Sequence, residues 1–312
     1  MSPSPRGVVL VTGASGFVGR ALVVALAADG WRVRAAARDP AKIAVAPGIE
    51  MAVLPDLASS LDWPPLLEDV THGVHLAGIA HTGGMADVSY MRINGDAAGE
   101  LARAVRASGI GRFVLMSSVR AQVGASATQV LTEDTPPAPS DAYGRSKLAA
   151  EQAVARELGG VACCLRPVLI VGDGVKGNLA TLRRLALTRL PLPLGALHNK
   201  RSLLSMGNLV SIVKFALTSD SAKGAIFLAA DPEPMSVADL LTTMRGAIGR
   251  KPSLIPVPPR LLGMALALAG KRALSQSLLG DLVVSTARLR AAGWQPVLPP
   301  VFDIARMMRG HD

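Results

Sequence analysis

Short β-branched and apolar runs alternate with longer segments of helical period from Gly7 to about Pro167, the pattern of a parallel sheet covered on both faces. Strands are predicted at residues 8–12, 31–37, 49–53, 73–77, 112–117 and 161–166, and helices at 17–28, 93–107 and 143–158. Beyond Pro167 the rhythm breaks into turns rich in glycine and proline, at 172–177 and 190–195, between short helical stretches. Residues 224–229 again form a fully apolar run, so the chain is expected to return to its first sheet before finishing elsewhere. The fold class is therefore α/β, a doubly wound parallel sheet with a smaller, interleaved C-terminal region.

Composition narrows the picture. At 312 residues and 50% hydrophobic content there is ample core material. The segment Met1 to Arg6 is short and polar, and no signal-peptide apolar core follows it, so a cytoplasmic location is expected. The apolar stretch 261–269 is about half a bilayer span and is closed by Lys271-Arg272. It reads as a buried helix, with an interfacial helix as the alternative and stable membrane insertion excluded. Cys163 and Cys164 are adjacent in an apolar run, so their side chains point to opposite strand faces; neither a disulfide nor a metal site follows. The net charge of +10 comes from scattered single and paired cations, and aromatics are 3%, a poor base-stacking surface. Nucleic acid is not the expected partner; a polyanionic small ligand accounts for the surplus.

Chemistry first becomes visible at Thr12-Gly13-Ala14-Ser15-Gly16-Phe17-Val18-Gly19, where the first strand gives way directly to a helix. Glycines at these spacings allow a sharp turn, close approach of a pyrophosphate, and tight packing of helix on strand. Gly13, Ser15, Gly16, Phe17, Val18 and Gly19 are the candidate phosphate-loop residues of a Rossmann-type domain. That domain is expected to span 1–170, with 207–230 returning to it, while 171–206 and 231–312 form the substrate-binding region. Cofactor choice is read at the end of the second strand, where Arg38 offers a guanidinium fork to a 2′-phosphate, with Arg34 on the same strand face. NADP is favoured; NAD stays open because Asp39 could hold a ribose diol. Asp56 with Leu57, Leu76 with Ala77, and Pro167 complete the candidate cofactor set.

Tyr143 and Lys147 are four residues apart at the start of a predicted helix, hence on one face. A free phenol ionises near pH ~10, so proton exchange at pH 7 asks for ~3 units, or ~4 kcal/mol, of stabilisation. A nearby ammonium and a cationic nicotinamide could supply it. Ser118 follows a strand at the ligand-binding edge of the sheet, placed to hold a substrate oxygen while Tyr143 exchanges the proton; Ser117 is the lesser candidate.

With these motifs in order, the chain resembles the extended short-chain dehydrogenases/reductases, the NAD-dependent epimerase/dehydratase family. The resemblance rests on the glycine loop, His75-Leu76-Ala77, Asn94, Ser117-Ser118, Pro139-x-x-x-Tyr143-Gly144-x-Ser146-Lys147, Leu165-Arg166-Pro167 and Arg201-Ser202-Leu203-Leu204-Ser205. It implies Tyr143 as acid/base, Lys147 on the nicotinamide ribose, and Ser118 orienting the substrate. Residues 141–147, Val175-Lys176-Gly177-Asn178 and 190–195 look most like the bacterial polysaccharide-synthesis subgroup. That likeness implies a UDP-4-keto-6-deoxy-N-acetylhexosamine C4-reductase, or a nucleotide-sugar 4-epimerase, with Asn178 and Arg201 on the nucleotide diphosphate. Homodimers are common in that family. One departure stands out: the arginine expected shortly before Gly280-Asp281 is replaced by Ser277-Leu278-Leu279, leaving Arg272 or Arg288 as substitutes, or a substrate other than a UDP-sugar. A non-nucleotide ketone or aldehyde, and a non-catalytic dinucleotide sensor, are the remaining alternatives.

Overall fold

Nine strands form among the described residues: β1 (Val8–Thr12), β2 (Arg32–Ala37), β3 (Ile49–Val53), β4 (Val70–His75), β5 (Arg112–Met116), β6 (Ala162–Pro167), β7 (Leu169–Val171), β8 (Leu203–Ser205) and β9 (Ile226–Ala229). The structure is a computed structural model and describes residues 7–59, 61–80 and 86–310, with the backbone alone at Arg272 and Ala273; the segment Met1 to Arg6 lies outside these residues. Seven strands make one parallel sheet in the order β3-β2-β1-β4-β5-β6-β9. The order reverses between β1 and β4, which opens a crevice at the carboxyl ends of those strands. β9 reaches the far edge by pairing Leu165 with Phe227 and Pro167 with Ala229.

Both faces of the sheet are covered, as the continuous apolar strands require. Helices Phe17–Ala28 and Met206–Thr218 pack on one face around Val9, Val11, Leu22, Leu165 and Leu209. Helices Ala97–Ala107 and Ala142–Leu158 cover the other around Leu10, Leu101, Leu115 and Val154. Each such fully buried side chain contributes about 1.5–3 kcal/mol. Cys163 belongs to the first cluster and Cys164 to the second, so the adjacent thiols do face opposite sides; burial pushes both up, Cys163 to about 12. No metal-binding group of side chains occurs among the described residues.

A third cluster holds the remaining elements together, with Val171, Leu179, Leu203, Leu241 and Ile304 at its centre. Here β7 and β8 pair in parallel, two three-residue strands too short to be read from periodicity. Asp231, buried after β9, accepts hydrogen bonds from Ser205 N (2.8 Å), Ser205 Oγ (3.0 Å) and Asn208 Nδ2 (2.6 Å), tying this region to the sheet. No helix among the described residues is long and apolar enough to cross a membrane. The apolar stretch after Pro258 departs from expectation. Helix Pro259–Leu268 has no buried residue, because only part of its surface meets the rest of the chain.

The catalytic-helix candidate Ala142–Leu158 is fastened to the sheet by a buried ion pair. Glu151 Oε2 accepts from Arg166 Nη2 at 2.7 Å and Glu151 Oε1 from Arg166 Nε at 2.9 Å, a two-pronged contact with both side chains almost wholly buried. Ser117 Oγ donates to the same carboxylate. Glu151→Gln would leave the guanidinium uncompensated in a dry setting; a loss of about 3–5 kcal/mol is expected, read as a lowered urea midpoint with an unchanged slope.

Candidate functional site

Gly13 leaves β1 with φ +73°, and a Cβ there would sit 2.7 Å from Ala77 N. A Cβ on Gly19 would meet Gly13 O at 2.3 Å, and one on Gly16 would meet the same oxygen at 3.0 Å. The loop is therefore a cradle that side chains would fill. Gly16 is the N-cap of helix Phe17–Ala28 without a side-chain cap, so the first-turn amides stay directed at the crevice. These features fit a dinucleotide pyrophosphate: bare backbone donors, a helix N-terminus, and room that only glycine leaves. Ser15 lies within the loop, its carbonyl accepting from Arg20 Nη1 at 3.0 Å, and Phe17 and Val18 are partly buried at the helix start. Leu76 and Ala77 close the opposite wall, their amides donating to Thr12 O and Thr12 Oγ1. Pro167 is buried at the end of β6.

The rim of the second strand divides its charges. Arg38 is exposed and makes no hydrogen bond or ion pair among the described residues. Asp39 is held by Lys42 at 3.0 Å, and that ammonium lowers its carboxyl. Arg34, expected to face the same ligand, is instead committed to Glu50 (2.9 Å) and to the carbonyls of Leu66 and Glu68. Its residue opposite on β3 is Glu50, so cross-strand pairing captures it. Asp56 is exposed and accepts from Ala58 N at 3.1 Å as a turn aspartate, beside the buried Leu57.

Ser118, Tyr143 and Lys147 converge at the carboxyl end of β5. Asp141 caps the helix by accepting from Gly144 N at 2.7 Å, which fixes the first turn carrying Tyr143. The phenol shares a hydrogen bond with the Ser118 hydroxyl. One turn on, Lys147 Nζ is buried and donates to Met116 O at 2.9 Å. Burial lowers its ammonium to about 8, with the Glu151 carboxylate working against that. Tyr143 is raised: burial comes first, opposed by the Ser118 hydrogen bond, while Asp141 raises it and Arg120 lowers it. The cation acting on the phenol is thus Arg120, where the sequence pointed to Lys147. Ser117 is directed away, into the Glu151–Arg166 pair, and leaves the role of hydroxyl donor to Ser118.

Two residues that were not among the candidate site residues shape this corner: Arg120, and Asn94, which was noted only as part of the family resemblance. Arg120 lies on the turn after Ser118, ion-paired with Asp141; burial first, and then the Arg120 charge, hold the Arg201 guanidinium below its usual range. Its signal in the sequence was its place two residues after the serine on a ligand-side loop. Asn94 sits in a π-helical turn, Met91–Asp96, and bridges elements: its Oδ1 accepts from Ile79 N (2.8 Å) while its Nδ2 donates to Ile79 O (3.1 Å) and Ser146 Oγ (3.1 Å). Ser146 Oγ in turn donates to Tyr143 O at 2.8 Å. Below, His75 is buried with Nδ1 against Thr12 Oγ1 at 2.8 Å; burial and then the Lys147 charge lower it to about 3, so it stays neutral.

The outer candidates are placed differently. Arg201 is anchored by Nη1 to Gly280 O (2.8 Å) and by Nη2 to Ala125 O (3.2 Å), joining the loop after Ser118 to the C-terminal region. Asn178 is exposed in the first turn of helix Gly177–Leu187. Arg288 pairs with Asp134 at 2.7 Å and with Glu133, which takes it out of the role of substitute arginine; the side chain of Arg272 lies outside the described residues.

Comparison with known proteins follows this geometry. Residues 9–230 match the profile of the NAD dependent epimerase/dehydratase family. The UDP-glucose 4-epimerase of Vibrio cholerae is 32% identical over 302 residues, which cover 92% of this chain and 90% of that protein. Two solved structures share the fold. The Bordetella bronchiseptica enzyme WbmG in complex with NAD and UDP has TM-score 0.77 at 17% identity, over 97% of this chain and 94% of that one. The human epimerase family protein SDR39U1 with NADPH has TM-score 0.72 at 22% identity, over 96% and 98%. Sheet order, glycine cradle and the profile agree, and they establish the chain as an enzyme of the NAD dependent epimerase/dehydratase family, the extended short-chain dehydrogenases/reductases.

Proposed function

We propose that this enzyme reduces the C4 keto group of a nucleotide sugar of the UDP-4-keto-6-deoxy-N-acetylhexosamine type, in polysaccharide synthesis, with NADPH. The observation that carries the reading is the shared hydrogen bond of the Tyr143 and Ser118 hydroxyls, with the buried ammonium of Lys147 one helical turn on. The glycine loop, Leu76, Ala77, Pro167 and Lys147 would hold a nicotinamide dinucleotide, which when bound would supply the hydride. Ser118 orients the substrate oxygen, and Tyr143, kept neutral by burial, is the proton donor to it. Burial raises the phenol above its ordinary range, the reverse of the lowering that the sequence led us to expect, and holds it in the protonated form that reduction consumes. Arg38, free at the second-strand rim, favours the 2′-phosphate of NADP. Arg120 and Arg201, two cations held near one another, favour an anionic substrate such as a diphosphate, with the exposed Asn178 at its outer edge.

The second reading is a nucleotide-sugar 4-epimerase, favoured by the 32% identity to the Vibrio cholerae enzyme along nearly its whole length. Assays with UDP-4-keto-6-deoxy-GlcNAc separate the two. Substrate-dependent consumption of NADPH supports reduction. Interconversion of UDP-glucose and its 4-epimer without net cofactor turnover supports epimerisation, and neither activity at micromolar enzyme overturns both.

Three outcomes test the residues. Tyr143→Phe should bind cofactor as before and lose turnover by about 100-fold or more, seen by pairing a fluorescence titration with steady-state rates. Arg38→Ala should weaken NADPH by about 10–100-fold and leave NADH unchanged, the scale of lost charge-assisted hydrogen bonds; equal losses for both would remove the assignment. For Lys147, the charged form is the one below about 8, so kcat/KM should fall as pH rises through about 8. A profile flat to well above that pH would dissociate the ammonium from the reaction.

A further inference from the structure

The C-terminal region carries an apolar helix whose outer face the other described residues leave exposed. Helix Pro259–Leu268 exposes Leu261 (57%), Met264 (62%) and Leu268 (89%), spaced by three and four residues and therefore aligned on one outer stripe. The opposite side meets helix Arg272–Leu279: Leu262, Leu278 and Leu279 pack against the third core cluster, and Gly263 lets Leu279 approach closely. Gly270, at φ +69°, makes the turn between the two helices. The loops that precede the helix are paired, Gly195 N donating to Ile255 O, and expose Leu190 and Ile255.

The charge along this segment of the chain has one sign. From Leu240 to Gly280 the chain has no aspartate or glutamate, while Arg250, Lys251, Arg260, Lys271 and Arg272 all fall within it. Lys251, Arg260 and Lys271 are exposed, at the loop before the helix, its first turn and the turn after it. A symmetric contact with a second copy would bring these cations against their own kind. A surface of anionic lipid headgroups over an apolar layer meets both features at once. Ten residues of helix are about 15 Å long, roughly half the hydrocarbon thickness, so the element lies in the interface and does not span it.

We infer that the helical hairpin 259–279 docks this enzyme on anionic phospholipid bilayers, with Leu261, Met264 and Leu268 entering the headgroup boundary and Lys251, Arg260 and Lys271 on the lipid phosphates. The docked element leads straight into the substrate side of the cleft, because Gly280, which ends the second helix, accepts from Arg201. The inference concerns location and stands apart from the reaction.

The test is co-sedimentation of the full chain with vesicles of phosphatidylcholine, with and without phosphatidylglycerol. The wild type should pellet with the anionic vesicles, and salt should weaken this. The combined substitution Leu261→Ser, Met264→Ser and Leu268→Ser should reduce binding by about tenfold or more with an unchanged melting temperature, since these side chains are exposed. Lys251→Gln with Arg260→Gln and Lys271→Gln should remove the preference for anionic lipid. Tyr143→Phe should pellet like the wild type, which keeps a failure here distinct from a failure of the proposed reaction. Absence of pelleting, equal pelleting of the triple serine variant, or a solution dimer that the triple variant dissociates would overturn the inference, the last assigning the stripe to a second copy.

Discussion

The site depends on a carboxylate and a guanidinium enclosed between a helix and a sheet. Glu151 and Arg166 meet in a two-pronged contact where water is excluded, and Ser117 satisfies a further lone pair of the carboxylate. An enclosed ion pair of this kind adds little net stability over well-packed apolar groups, but it tolerates only one geometry. It fixes the rotation and height of helix Ala142–Leu158 over β6. From that anchor, Lys147 is one turn back and Tyr143 two, so the proposed reacting groups inherit their positions from a contact that includes neither of them. Asp141 secures the other end of the same segment, and Asn94 ties its first turns to the loop after β4.

Electrostatics in the cleft follow from burial more than from pairing. The ammonium of Lys147, the phenol of Tyr143 and the imidazole of His75 each shift toward the neutral form, because each gives up water without gaining a full countercharge. A neutral phenol, a neutral imidazole and an easily discharged amine make a site whose proton inventory responds to any charge introduced into it. Burial lowers the Arg201 guanidinium in the same direction, and its donors go to the carbonyls of Gly280 and Ala125, while Arg120 is ion-paired with Asp141.

Much of the fold was legible in advance because its strands are enclosed on both faces and therefore written as unbroken β-branched and apolar runs. Each of the seven strands of the large sheet has a counterpart in the sequence reading, although the fourth, expected at 73–77, runs Val70–His75; the glycine loop was recognisable because three separate backbone approaches exclude a side chain. Less visible were features created by tertiary pairing. β7 and β8 are too short to show a period, and Arg34 could not be told from Arg38 until the register set it opposite Glu50. The influence of Arg120 on the phenol depends on a turn after Ser118 that has no local signature. The apolar helix at Pro259 was read as buried because composition reports affinity for a nonpolar neighbour and is silent on which molecule provides it.

The two cysteines have a practical consequence. Cys163 and Cys164 sit back to back in the sixth strand, one beneath each helical layer, with thiols that burial makes poor nucleophiles. An alkylating reagent can reach either sulfur only after a whole layer lifts from the sheet. The pace of thiol capture in the folded enzyme therefore clocks the rarest opening of its centre, and comparing the two sulfurs tells which side parts first.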